Sequence, residues 1–124
     1  MNTDEAFSKA LQLRDAGDLR GAVKLLRELS QTVYDSAALF AVLGGVYWEL
    51  KELDEAIKCF VKATELAPRS ETASLGLFHS LWQQGRESEA LDECKRFMAL
   101  SDSEDYRSII AEINADNGGD SGVY

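Results

Sequence analysis

Groups that build metal centres and disulfide frameworks are scarce in this chain of 124 residues, which has one histidine, two cysteines and one proline. Structural metal sites take four close ligands, and one histidine with two thiols does not make one. The acidic run Glu52, Asp54 and Glu55 lacks the D-x-D-x-D-G-x5-E spacing of a calcium loop. No stretch of 18 apolar residues occurs, which excludes a membrane-spanning helix. The opening MNTDEAFSKALQLRD is acidic and amphipathic, with neither the basic lead nor the apolar block of a secretory signal. The cytoplasm is the expected compartment.

Basic residues are also few. Thirteen Lys and Arg face 22 Asp and Glu, a net charge of −9, which disfavours nucleic acid and anionic membrane surfaces as partners. The deficit is uneven: residues 1–86 carry −2 and residues 87–124 carry −7. An acidic end of this kind aids solubility and can steer a basic partner toward itself. Cys59 and Cys94 fall inside helical patterns at equivalent places. Neighbouring parallel helices lie about 10 Å apart, too far for an easy disulfide. Both are expected as buried free thiols in a reducing compartment.

What the chain does have is a repeat. Gly17, Lys51 and Gly85 recur at a spacing of 34, as do Ala22, Ala56 and Ala90, and Leu13, Tyr47 and Leu81. Leu26, Phe60 and Cys94 form a fourth register, and Leu29, Ala63 and Phe97 a fifth. A fixed period of this length marks stacked supersecondary units, none of which can bury its apolar faces alone. The central unit, 37–70, reads as two helices around a turn at Leu50-Lys51-Glu52. Phe40, Leu43, Gly44 and Tyr47 share one face of the first helix; Ala56, Phe60 and Ala63 share one face of the second, which Pro68 ends.

These eight residues resemble the tetratricopeptide repeat at all its signature positions, with Phe40 for the usual Trp. The resemblance implies an all-α, right-handed solenoid of helical hairpins, a single domain over residues 1–114. Its repeats span about 3–36, 37–70 and 71–104. The first repeat departs from the pattern at Lys9 and Tyr34, and the third has Phe78 in place of Gly44 and Asp102 in place of Pro68. Phe78 is expected to push its two helices apart and tilt the third repeat.

Local signals agree with this frame. Asn2 with Glu5 forms a capping-box pattern. Gly17 supplies a left-handed turn residue, and Asp18 caps the next helix. Lys51 stands at the same place, where a left-handed conformation would cost about 1 kcal/mol relative to Gly. Ser101 with Glu104 suggests a second capping box, opening a capping helix at about 102–114 with Tyr106, Ile109, Ile110 and Ile113 on one stripe. Residues 115–124 have the composition of a flexible acidic tail.

Catalytic groups do not converge. His79 and Cys94 are the only candidates for a nucleophile–base pair, yet the frame puts Cys94 in the core and His79 on the far side of its own helix. Gly44-Gly45 lies inside a helix and Gly118-Gly119 in the tail, so neither cradles phosphate. No enzymatic activity, cofactor or metal is expected.

The first helix of each repeat has a second stripe, and by the family resemblance it lines a concave groove. It comprises Asp4, Phe7, Leu11 and Arg14, then Ala38, Ala41, Gly45 and Trp48, then Thr72, Leu75, His79 and Trp82. Solvated stripes are polar, whereas this one carries Phe7, Leu11, Leu75 and two Trp, over a small floor of Ala38, Ala41 and Gly45. The expected function is binding of an apolar or amphipathic protein segment, with basic flanks. Adaptor, secretion-chaperone-like and toxin-neutralising roles all fit. The alternative is a self-associating scaffold, such as a homodimer, whose groove is filled by another copy or by its own tail. Family members that hold the acidic C-termini of heat-shock chaperones resemble one another in a clamp of Lys, Asn and Arg. The matching positions here are Phe7, Leu11, Val42, Thr72 and Gly76, none of them a cation. Peptides ending in Glu-Glu-Val-Asp should therefore not bind, and a low-micromolar affinity in a polarisation titration would contradict this.

Overall fold

The places where the chain can start and stop a helix set the architecture. The computed structural model describes residues 1–116. Among these residues the elements are all helical: α1 Thr3–Asp15, α2 Leu19–Ser30, α3 Ala37–Glu49, α4 Leu53–Leu66, α5 Glu71–Gln83, α6 Glu87–Leu100 and α7 Glu104–Asp116. Helix pairs α1/α2, α3/α4 and α5/α6 pack as hairpins, and each second helix also packs on the first helix of the next pair.

Side-chain caps open the first helix of every pair. Asn2 accepts from the Glu5 N–H at 2.8 Å and donates to the Glu5 carboxylate at 2.8 Å. Ser36 and Ser70 accept from the N–H of Leu39 and Ala73. These caps satisfy amides that a helix end leaves without a partner. The same helices end on left-handed residues, with φ of 89° at Gly17, 64° at Lys51 and 82° at Gly85. The next amide then returns to the carbonyl of Leu13, Tyr47 or Leu81, closing each helix in the Schellman manner.

One ring is central to the packing. Phe60 of α4 is buried between α3 and α5. A Cβ on Gly44 would meet its ring at 3.1 Å, and one on Gly76 would meet it at 2.3 Å. Gly76 is thus required by a close approach and Gly44 leaves only a tight fit, despite the cost of about 0.5–1 kcal/mol that Gly carries inside a helix. Across the register, small and large residues trade places: Ala10 with Leu26, Gly44 with Phe60, Phe78 with Cys94. In that register Phe78, expected to part its helices, stands opposite the small Cys94. Its ring stacks on Trp82 at 5.6 Å and meets Tyr106 edge-on at 5.6 Å.

The seventh helix begins later than expected. Ser101 instead ends α6, its own N–H bonded to the Phe97 carbonyl. Ser103 is the cap: it is buried, and its hydroxyl accepts from the Tyr106 N–H at 3.1 Å. The helix includes Ala115 and Asp116, which were expected to start the tail. Residues 117–124 of that tail lie outside the described residues. Tyr106 anchors α7 through a buried polar chain. Its hydroxyl donates to Ser74 at 2.7 Å, Ser74 donates to Glu93 at 2.7 Å, and Arg96 grips Glu93 at 2.6 and 2.8 Å. Ile109, Ile110 and Ile113 pack beside it against the core.

Both cysteines are buried free thiols. Burial pushes the Cys59 thiol up from 9.0 to about 12, with nearby Glu55 adding to the shift. Burial also raises the Tyr106 and Tyr47 hydroxyls. In this pH range the native state keeps protons that the unfolded chain releases, so stability should be level below about pH 9 and fall as pH rises toward 12. Urea midpoints measured from pH 7 to 11 check this, and a midpoint that rises with pH would refute it. Gly76→Ala should overpack the Phe60 ring and cost about 1–3 kcal/mol. The double variant Gly76→Ala/Phe60→Leu should regain much of that loss, a coupling that denaturant titration of the four-protein cycle reads directly.

A candidate peptide-binding groove

The first helices α1, α3 and α5 present the second stripe away from the partner helices. Phe7, Leu11, Ala41, Gly45, Trp48, Leu75 and Trp82 are half-buried, and Ala38 and His79 are exposed. Part of this set converges. A cavity of about 280 Å³ opens between α3 and α5, walled by Ala41, Gly45 and Trp48 on one side and by Thr72, Gly76 and His79 on the other. Phe60 reaches it from the second layer. Ala38, Phe7, Leu11, Leu75 and Trp82 stand outside the cavity.

The small row Ala38, Ala41 and Gly45 was expected to form the floor. Instead, Ala41 and Gly45 are wall, and the ring of Phe60 lies behind the backbones of Gly44 and Gly76. The reason is steric: two helices that both lack a Cβ at the crossing leave a gap through which the layer beneath is felt. Stripe periodicity does not detect Phe60, Thr72 and Gly76. A second mid-helix glycine, one repeat after Gly44 and displaced by two positions, was the available signal.

The two indoles differ in their surroundings. The Lys51 ammonium lies 5.1 Å from the centroid of the Trp48 ring, within cation–π range. The Trp48 indole nitrogen is buried and has no acceptor among the described residues, a state that buried donors seldom show. Trp82 rests one face on Phe78. His79 meets the edge of the same phenyl ring at 5.5 Å and stays exposed, while Cys94 is buried in the core. Hence the two do not form a nucleophile–base pair. No group of three or more His, Cys, Asp or Glu among the described residues could hold a metal.

A larger hollow of about 400 Å³ lies on the side of α4 and α6, over Ile57, Val61, Leu77 and Leu81. Charged residues rim it, and four of these are already matched: Arg86 with Glu89 at 2.6 Å, Arg96 with Glu93 at 2.6 Å. The cavity between α3 and α5 has no such self-neutralised rim and is the better candidate for a ligand. No described helix is long and apolar enough to cross a membrane.

Comparison with known proteins places this arrangement. The family profile described as "Tetratricopeptide repeat" matches residues 37–70. No curated protein matches the chain by sequence. Among solved structures, a mutant of MamA is similar at 26% identity and a TM-score of 0.74, over 82% of this chain and 74% of that one. The chain spans only 54% and 58% of two other MamA structures. The Yersinia enterocolitica type III secretion chaperone SycD, in complex with a peptide of the translocator YopD, superposes with a TM-score of 0.76 at 15% identity. That match covers 90% of this chain and 86% of that one. The second TPR of Spaghetti (RPAP3), bound to an HSP90 peptide, gives 0.73 at 16% identity over 80% and 92%. Residues 37–70 are a tetratricopeptide repeat, and the helical solenoid built around them has the tetratricopeptide-repeat fold.

Proposed function

We propose that this chain is a non-enzymatic protein-interaction module that holds an apolar or amphipathic segment of another protein along α1, α3 and α5. The observation that carries this reading is the cavity between α3 and α5, walled by small residues and Trp48 and backed by Phe60. Its volume suits a single bulky apolar side chain, and the small walls let a peptide backbone come close. Half-buried indoles are costly to leave in water and provide rigid contact area once covered. The peptide complexes of SycD and RPAP3 show that this fold can hold a segment of a partner, which supports the reading without naming the partner. An adaptor, a chaperone for a secreted protein and a toxin-neutralising partner would all use such a groove.

The test starts from random 12-residue peptides displayed and selected on the full chain, followed by titration of the selected peptides in solution. Trp48→Ala and Trp82→Ala, each checked for retained helicity by circular dichroism, should each weaken binding by about 2 kcal/mol or more. Iodide should quench part of the tryptophan fluorescence of the free protein, and titrated peptide should protect it. Unchanged affinity in both variants would remove the groove from consideration.

A further inference from the structure

Two features of the cavity between α3 and α5 are not accounted for by the packing of the free protein. The first is Gly45. Glycine is unfavourable inside a helix, and Gly44 and Gly76 are matched by the approach of the Phe60 ring. Gly45 has no such neighbour, since a Cβ added to it would meet nothing within 4 Å. It lines the cavity, so the glycine keeps open a space that any side chain would enter. The second feature is the Trp48 indole. Its nitrogen is shielded from solvent and has no acceptor among the described residues. Indole nitrogen is a donor only, and a buried donor without a partner is costly. The Lys51 ammonium beside the ring is itself a donor and cannot serve it.

Residues three apart on a helix are neighbours on one face, so the open space and the unmet donor lie side by side on α3, in the wall of one cavity. A path over a glycine admits main chain, and main chain carries a carbonyl oxygen at every residue. In an extended segment those oxygens are free, whereas a helix has committed them to its own amides. We propose that the bound segment crosses α3 over Gly45 in extended form and that one of its main-chain carbonyls accepts from Trp48 Nε1. That nitrogen is shielded in the free protein, so the ring turns about its side-chain bonds as the hydrogen bond forms, with the cavity beside it to turn into. Recognition at this point reads the backbone of the partner and leaves the side chain of that residue unspecified. The inference rests on the groove reading above and gives Gly45 and Trp48 separate tasks within it.

The probe is a 12-residue peptide selected on the full wild-type chain. It is titrated against wild type, against Gly45→Ala, and against a chain carrying benzothienylalanine at position 48, which keeps the ring shape with sulfur in place of N–H. Neither change removes a contact of the free protein, so both urea midpoints should equal or exceed that of wild type. Binding should weaken about tenfold in Gly45→Ala, where the new methyl group blocks the path. It should weaken about two- to tenfold with the sulfur ring, the range of one lost hydrogen bond. The indole proton resonance of Trp48, identified in the free protein by comparison with Trp82→Phe, should move downfield as peptide is added. Unchanged affinity in either altered protein overturns the proposal, and so does a lowered urea midpoint, which would show that the free fold already uses the group. The groove itself is judged separately on Trp48→Ala and Trp82→Ala, so a loss there without a loss for the sulfur ring leaves the groove standing and removes the hydrogen bond.

Discussion

The contact of Phe60 with Gly44 and Gly76 is the constraint on which the middle of the molecule depends. A phenyl ring that fills the space of two missing side chains binds three helices into one packing unit, two from one hairpin and one from the next. Repeat proteins owe their stability to such interfaces between neighbours more than to any single hairpin. Phe60 takes part both in this interface and in the lining of the cavity, so the groove wall and the packing of the stack share the same atoms. Interior packing tolerates added volume poorly, and this crossing has no room for a larger side chain at Gly76.

The C-terminal end is held differently. Tyr106, Ser74, Glu93 and Arg96 form a satisfied polar chain under α7, in place of another apolar wedge. Each group has a partner, which is the condition under which a buried polar network specifies a unique arrangement. A directional lock suits a terminal helix, because an apolar stripe alone would let α7 slide by a turn.

Much of the fold was legible because its signals are local. The serine and asparagine caps and the left-handed positions act within a few residues of where they are written, and the period of 34 repeats them along the chain. The capping serine of α7 was misread for a physical reason. Ser101 and Ser103 both precede acidic helical residues, and the tertiary placement of α6 and α7 makes Ser101 the end of one helix and Ser103 the cap of the next. The groove stripe could be drawn from helical spacing, yet its depth could not. The cavity depends on Gly76 meeting a ring from the preceding repeat. A reading that aligns each repeat with the next compares equivalent residues, and this contact joins non-equivalent ones.

Lys51 joins two demands that a glycine would separate. It is the one non-glycine residue with positive φ among those described, and its side chain also reaches over Trp48. The strained backbone therefore persists at a position whose equivalents are Gly17 and Gly85. Relaxing that turn with a glycine would ease the main chain and at the same time uncover the indole beside the cavity. Stability and surface character pull in opposite directions at this residue, so optimising this chain for heat resistance alone would alter what its groove presents.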